Sequence, residues 1–89
     1  MKLGNLTADG QTDAVKFGPK SVLIAEGTWG SGTVKLQFRP VGHTVWIDVT
    51  GASLTADGYK DVELNAQGDL EFRADLSGAT SPNIDIHLI

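Results

Sequence analysis

Chemistry in this chain has to come from 11 acidic residues, two histidines, scattered hydroxyls, two tryptophans and one tyrosine; there is no cysteine to act as nucleophile or thiolate ligand. The most regular arrangement is an aspartate–glycine turn that occurs twice. Leu6-Thr7-Ala8-Asp9-Gly10 recurs identically as Leu54-Thr55-Ala56-Asp57-Gly58, and in each copy a second aspartate, Asp13 or Asp61, stands three residues beyond the glycine. Asp9 with Asp13, and Asp57 with Asp61, could offer carboxylates to calcium, but that ion takes about 6–8 oxygens and each turn holds two acids. Aspartate ahead of glycine is also the ordinary residue of a tight turn, where its side chain bonds nearby backbone. The pattern reads as one turn-into-strand solution used twice, at equivalent corners of two sheets, and no metal or other cofactor is expected.

The remaining polar candidates do not assemble into a catalytic set. His43 stands beside a predicted turn and His87 on the polar face of the last predicted strand, with no HxH or HxxxH pairing. Ser31 in Trp29-Gly30-Ser31-Gly32 lacks the G-x-S-x-G spacing of a nucleophile elbow, and a strand follows it where that motif needs a helix. It reads as a hairpin loop. Asp69 and Glu71 would share a strand face, as some pair must in a chain this rich in acids. The expectation is a protein that is not an enzyme.

The aromatics carry more information. Trp29 borders a glycine-rich loop, Trp46 falls opposite Val45, Ile47 and Val49 where a polar residue is expected, and Tyr59 follows the second aspartate turn. Such residues pack at the edge of a core, anchor subunit interfaces, or stack on sugars. Trp29, Trp46 and Tyr59 are therefore the candidate interface or ligand residues.

Eighty-nine residues hold one domain, 1–89, and 40% apolar content supplies a core. A domain of this size without disulfides gains stability by oligomerising. A net charge of −4 lacks the basic footprint of a nucleic-acid or anionic-membrane surface. No apolar run approaches the roughly 18 residues of a membrane span, and Met1-Lys2-Leu3-Gly4 does not open a signal peptide.

Glycine spacing sets the fold class. Between Gly4 and Gly78 no glycine-free run exceeds nine residues, too short for a typical helix but ample for strands. Within these runs the chain alternates with period two: Val15/Phe17, Val34/Leu36/Phe38, Val45/Ile47/Val49, Val62/Leu64, Leu70/Phe72/Ala74/Leu76 and Ile84/Ile86/Leu88. Val22-Leu23-Ile24-Ala25 is continuously apolar, as expected of a central strand or one buried on both faces. Turn residues separate the segments at Gly18-Pro19, Gly30-Ser31-Gly32, Pro40-Val41-Gly42, Gln67-Gly68-Asp69 and Ser77-Gly78. The prediction is an all-β domain, an antiparallel β-sandwich or jelly-roll of about seven to eight short strands. The last strand, Asn83 to Ile89, must pair within its own sheet or against a neighbour, and Asp85 is placed to blunt it if it forms an edge.

The run Gly27-Thr28-Trp29-Gly30-Ser31-Gly32-Thr33-Val34-Lys35-Leu36-Gln37, the later Trp46-Ile47-Asp48-Val49, and Phe72-Arg73-Ala74-Asp75-Leu76-Ser77-Gly78-Ala79-Thr80 together resemble small structural proteins of tailed bacteriophages. Those proteins carry runs of the form G-T-[FW]-G-x-x-T-V-x-L-Q, a W-x-D-V strand and an R-[AV]-x-L-S-G-A-T ending. In them the W-x-D-V strand often follows a glycine-rich hairpin, a place taken here by Pro40-Val41-Gly42-His43. The resemblance implies a virion component, on the capsid or in the tail. Its sharpest version is a capsid decoration protein, a homo-oligomer expected to be a trimer, whose partners are other virion proteins, the major capsid protein foremost. The rival expectation is a carbohydrate-binding or host-adhesion module that uses the exposed aromatics.

Overall fold

The alternating segments become nine strands in the computed structural model, which describes every residue from Met1 to Ile89. They are β1 (Lys2–Leu6), β2 (Gly10–Gln11), β3 (Val15–Phe17), β4 (Lys20–Thr28), β5 (Thr33–Arg39), β6 (Ile47–Leu54), β7 (Gly58–Glu63), β8 (Leu70–Ser77) and β9 (Asn83–Leu88). One antiparallel sheet has the order β1-β9-β4-β7, and the second has the order β2-β8-β5-β6 with β3 also on β8. The strand count exceeds the sequence expectation because Lys2–Leu6 pairs with β9, and because the third sheet-edge segment is interrupted into β2 and β3. With β2 and β3 taken as one interrupted strand, eight remain, and their order is that of a jelly-roll sandwich.

Only the β5–β6 connection, Pro40–Trp46, is a hairpin between hydrogen-bonded neighbours. Gly30-Ser31-Gly32 joins β4 in one sheet to β5 in the other, so it is an arch between sheets and not the hairpin its glycines suggested. Glycine pairs mark tight turns of either kind, and local sequence does not say which sheet the next strand will join.

The repeated turn reflects a symmetry of the whole fold. β1, β9, β4 and β7 of one sheet correspond in order to β6, β5, β8 and β2 of the other. The registers agree as well. Leu6 and Asn5 of β1 face Ile84 and Asp85, while Leu54 and Ser53 of β6, 48 residues on, face Val34 and Lys35. Thr28 of β4 faces Asn83 as Ser77 of β8 faces Thr33. The two Asp-Gly turns occupy equivalent corners, β1→β2 and β6→β7, as the sequence repeat suggested.

The core lies between the sheets. β8 and β9 alternate strictly, burying Leu70, Phe72, Ala74 and Leu76 from one and Ile84, Ile86 and Leu88 from the other. Leu23, Val34, Leu36 and Val62 join them, each large side chain contributing about 1.5–3 kcal/mol by leaving water. β4 is central, between β9 and β7, but it buries only Leu23 and Ala25 deeply, and Val22 and Ile24 are half-buried. β9 is not an edge, since it lies between β1 and β4; Asp85 instead takes an ion pair with Lys2 at 3.1 Å.

Val45, Ile47 and Val49 do not share a buried face. Val49 is buried, whereas Val45 is 69% exposed and Ile47 49%. Val45 lies in the loop ahead of β6, and Ile47 opens that edge strand opposite Phe38, at the end of the sandwich. Further along β6 there is a bulge: Lys35 faces Ser53, and two residues later Gln37 faces Asp48, five residues back. The excess is taken up around Gly51, whose φ is 78°, and the period-two pattern changes phase across it.

Two backbones meet at the arch end. A Cβ on Gly27 (φ 142°) would lie 2.0 Å from the Asn83 carbonyl oxygen, and one on Gly30 (φ 55°) 2.0 Å from that of Thr80. Neither neighbour is a side chain that can swing aside. Gly27→Ala and Gly30→Ala should each cost about 1–3 kcal/mol in urea unfolding, and Gly18→Ala, with open space around it and no positive φ, should cost less. Equal losses at all three positions would refute the close-approach account. Ser21 is buried on the core side of β4 with its Oγ lacking any hydrogen-bond partner. Ser21→Ala is therefore expected to raise stability by about 1 kcal/mol in the same titration, because it removes an unsatisfied hydroxyl.

Candidate interaction site

The two aspartate turns act as clasps on the arches. Asp57 accepts hydrogen bonds from the Gly27 backbone N–H (2.9 Å) and from Trp29 Nε1 (2.7 Å). Asp9, its counterpart, accepts from the backbone N–H groups of Gly78 (3.1 Å) and Ala79 (2.9 Å). The arches are joined directly by Thr80 N–H to the Gly30 carbonyl, 2.9 Å. Asp13 lies between β2 and β3, and Asp61 lies on β7 opposite Val22. No three His, Asp or Glu side chains gather into a metal-holding group, and Asp9 and Asp57 direct their oxygens at N–H donors. The Trp29 bond lowers the Asp57 pKa most, the Gly27 bond adds to it, and desolvation opposes both. Asp85 is lowered likewise, first by the Asn5 side chain and then by Lys2.

The three aromatics do not converge. Trp29 is held in the β4–β5 arch by Asp57 and packs on the core. Tyr59 stands on edge strand β7, opposite Ile24 and 65% exposed. Trp46 belongs to the other sheet and the other end, just before β6, and no single surface presents all three as a stacking platform.

Trp46 is built into a polar lattice that sequence reading missed. The Arg39 guanidinium lies 4.4 Å from the ring centroid and that of Arg73 lies 4.5 Å from it. Arg39 pairs with Glu71 at 3.3 Å across β5–β8. Arg73 Nε donates to Gln37 Oε1 (2.7 Å), and Gln37 Nε2 donates to Asp48 Oδ1 (2.9 Å), carrying the network over β8, β5 and β6. Each cation–π contact contributes on the order of 0.5–1 kcal/mol at an exposed site. The alternation Lys35-Gln37-Arg39 and Glu71-Arg73-Asp75 placed these residues on polar faces. Only the β8-β5-β6 order brings them under Trp46.

Exposed apolar residues occur at the hairpin end as well as at Met1, Tyr59 and Ile89. Val41 is 51% exposed, and Val45 and Ile47 are exposed as given above. A tryptophan fixed by two arginines at the end of the sandwich that also exposes Val41, Val45 and Ile47 supplies the residue types found at protein-interface hot spots. The chain's one concavity lies elsewhere, about 420 Å³ and shallow, over Lys20, Ser21, Val22, Asp61, Glu63 and Ile89. The Ser21 hydroxyl there is hydrogen-bonded to no base.

No family profile, curated protein or solved structure matches the chain. The geometry of the site is therefore the ground on which its function has to be argued.

The clasps make a pH prediction. An unfolded aspartate titrates near ~3.9, and Asp57 and Asp85 titrate lower in the folded chain, so they favour the fold fully above about pH 4. That contribution fades as pH falls through their lowered values. Denaturant midpoints measured from pH 5 to pH 2 should drop for the native chain and drop less steeply for Asp57→Asn. Identical slopes would show that the Asp57 clasp does not contribute to acid sensitivity.

Proposed function

We propose that this chain is a non-enzymatic structural component of a virion, a decoration protein that forms a homo-oligomer, expected to be a trimer, and binds assembled capsid protein. The observation that carries this reading is the hairpin end of the sandwich, where Val41, Val45 and Ile47 are exposed and Trp46, on the outer face of the sheet, is held over Arg39 and Arg73. A docking patch of this composition on a small rigid jelly-roll suits a clamp that fills sites between larger subunits. The sequence resemblance to phage structural proteins supplies the partner. Such a clamp works by mass action: a protein that binds only the assembled shell stabilises it in proportion to the logarithm of its free concentration over Kd. No bond is made or broken in the process. The glycan-binding alternative is less well supported, since Trp29 is engaged by Asp57 and the packed arch, and Trp46 and Tyr59 belong to different sheets.

Two measurements test the reading. Size exclusion with light scattering should give an oligomer at micromolar concentration, and the chain should co-sediment with shells of the capsid protein from the phage that encodes it. Val45→Ser with Ile47→Ser should weaken co-sedimentation at least tenfold while leaving the unfolding midpoint nearly unchanged, both side chains being about half or more exposed. Failure of the native chain to bind shells, together with glycan-array binding abolished by Trp46→Ala, would replace this reading with the adhesion module.

A further inference from the structure

Divide the chain at the Pro40–Trp46 hairpin and the two parts contain no strand pair of their own. Every ladder joins a strand of β1–β5 to one of β6–β9: β1–β9, β2–β8, β3–β8, β4–β7, β4–β9, β5–β6 and β5–β8. The side-chain bonds follow the same rule. Both aspartate clasps, the Asn5, Gln11, Thr12 and Gln37 hydrogen bonds, and all three ion pairs (Lys2–Asp85, Lys20–Glu63, Arg39–Glu71) cross between the parts. What connects them covalently is one exposed loop whose sole internal backbone bond is His43 N–H to the Pro40 carbonyl, 3.0 Å.

We infer that this chain forms an exchanged dimer with a second copy of itself, in which β6–β9 of each copy completes β1–β5 of the other and residues 40–46 open into an extended bridge. The exchange re-forms every ladder, clasp and ion pair between copies and gives up only the contacts of residues 40–46, the stacking of Trp46 on Arg39 and Arg73 among them. Free energy of the sandwich therefore cancels between the two forms, leaving hinge strain and protein concentration to decide between them. Two hinge residues set the strain. Pro40 has a fixed φ compatible with extended chain and holds Arg39 before it in the extended region. Gly42 sits at φ 89°, a conformation that the closed hairpin needs and an open bridge does not. Seven bridge residues reach up to roughly 25 Å, enough to separate two sandwiches end to end.

The test unfolds the full chain in guanidinium and refolds it at low and high protein concentration, with light scattering as the readout. Gly42→Val is the informative variant: a Cβ there meets nothing within 4 Å, so the fold is not crowded, while a β-branched residue at positive φ disfavours the closed turn. The expected result is a dimer whose share rises with refolding concentration and is about tenfold more favoured in Gly42→Val. Exchange is then separated from surface contact by co-refolding two single-cysteine chains, Lys35→Cys and Ser53→Cys, whose exposed positions face each other across β5–β6. The native chain has no cysteine to interfere. A disulfide joining Lys35→Cys of one chain to Ser53→Cys of the other, identified by mass, is the expected product. A monomer at every concentration in both native chain and Gly42→Val overturns the inference. So does a dimer that fails to give the mixed disulfide, which would be an association of closed sandwiches.

Discussion

Everything in this sandwich depends on backbone pairing between the first and second parts of the chain. Neither β1–β5 nor β6–β9 contains a ladder, so apart from the β5–β6 hairpin no local segment supplies its own hydrogen-bond partners. Burial of the core and satisfaction of the backbone are thus a single event. The close approach of Gly27 to Asn83 and of Gly30 to Thr80 follows from this, because the arches of the two parts must interlock at one end. So does the placing of the aspartates. Asp9 and Asp57 each reach from a corner in one part to free N–H groups of an arch in the other, satisfying donors that the arch geometry leaves outside any ladder.

Much of this was legible in the sequence. Glycine spacing and period-two alternation gave the all-β class, and β8 and β9 are buried at the alternate positions the pattern indicated. The repeated Leu-Thr-Ala-Asp-Gly was a visible trace of the pseudo-twofold, because a corner that caps an opposing arch needs the same acid and the same glycine each time. What stayed hidden was pairing. Glycines at 30 and 32 do not distinguish a hairpin from an arch, and the phase change around Gly51 is invisible to alternation counted from Val45 onward. For the same reason Trp46 could be singled out as anomalous while its arginines could not. Arg39 and Arg73 are 34 positions apart in sequence and become neighbours only through the β5–β8 register.

The hairpin is the part of the fold least bound by the pairing rule. Its residues serve as partner to no sheet, so they are free to carry Val41 and Val45 outward without cost to the core. Trp46, at its far end, is instead fixed by charge: two guanidiniums hold the ring, and Glu71 and Gln37 hold the guanidiniums. An indole already held in place loses little side-chain entropy when it docks. That is the physical basis of the proposed docking role.

The pairing of β1 with β9 also governs how the chain can be made. Leu6 waits for Ile84, close to 80 residues downstream, before its first ladder bond can form. At a synthesis rate of about 5–20 residues per second, β1 spends several seconds outside the ribosome as an apolar strand with no partner. Its Gly4 and Asn5 interrupt the apolar pattern of Leu3 and Leu6, which lowers the tendency of that waiting segment to stick to another. The sandwich can therefore close only after β9 has been made.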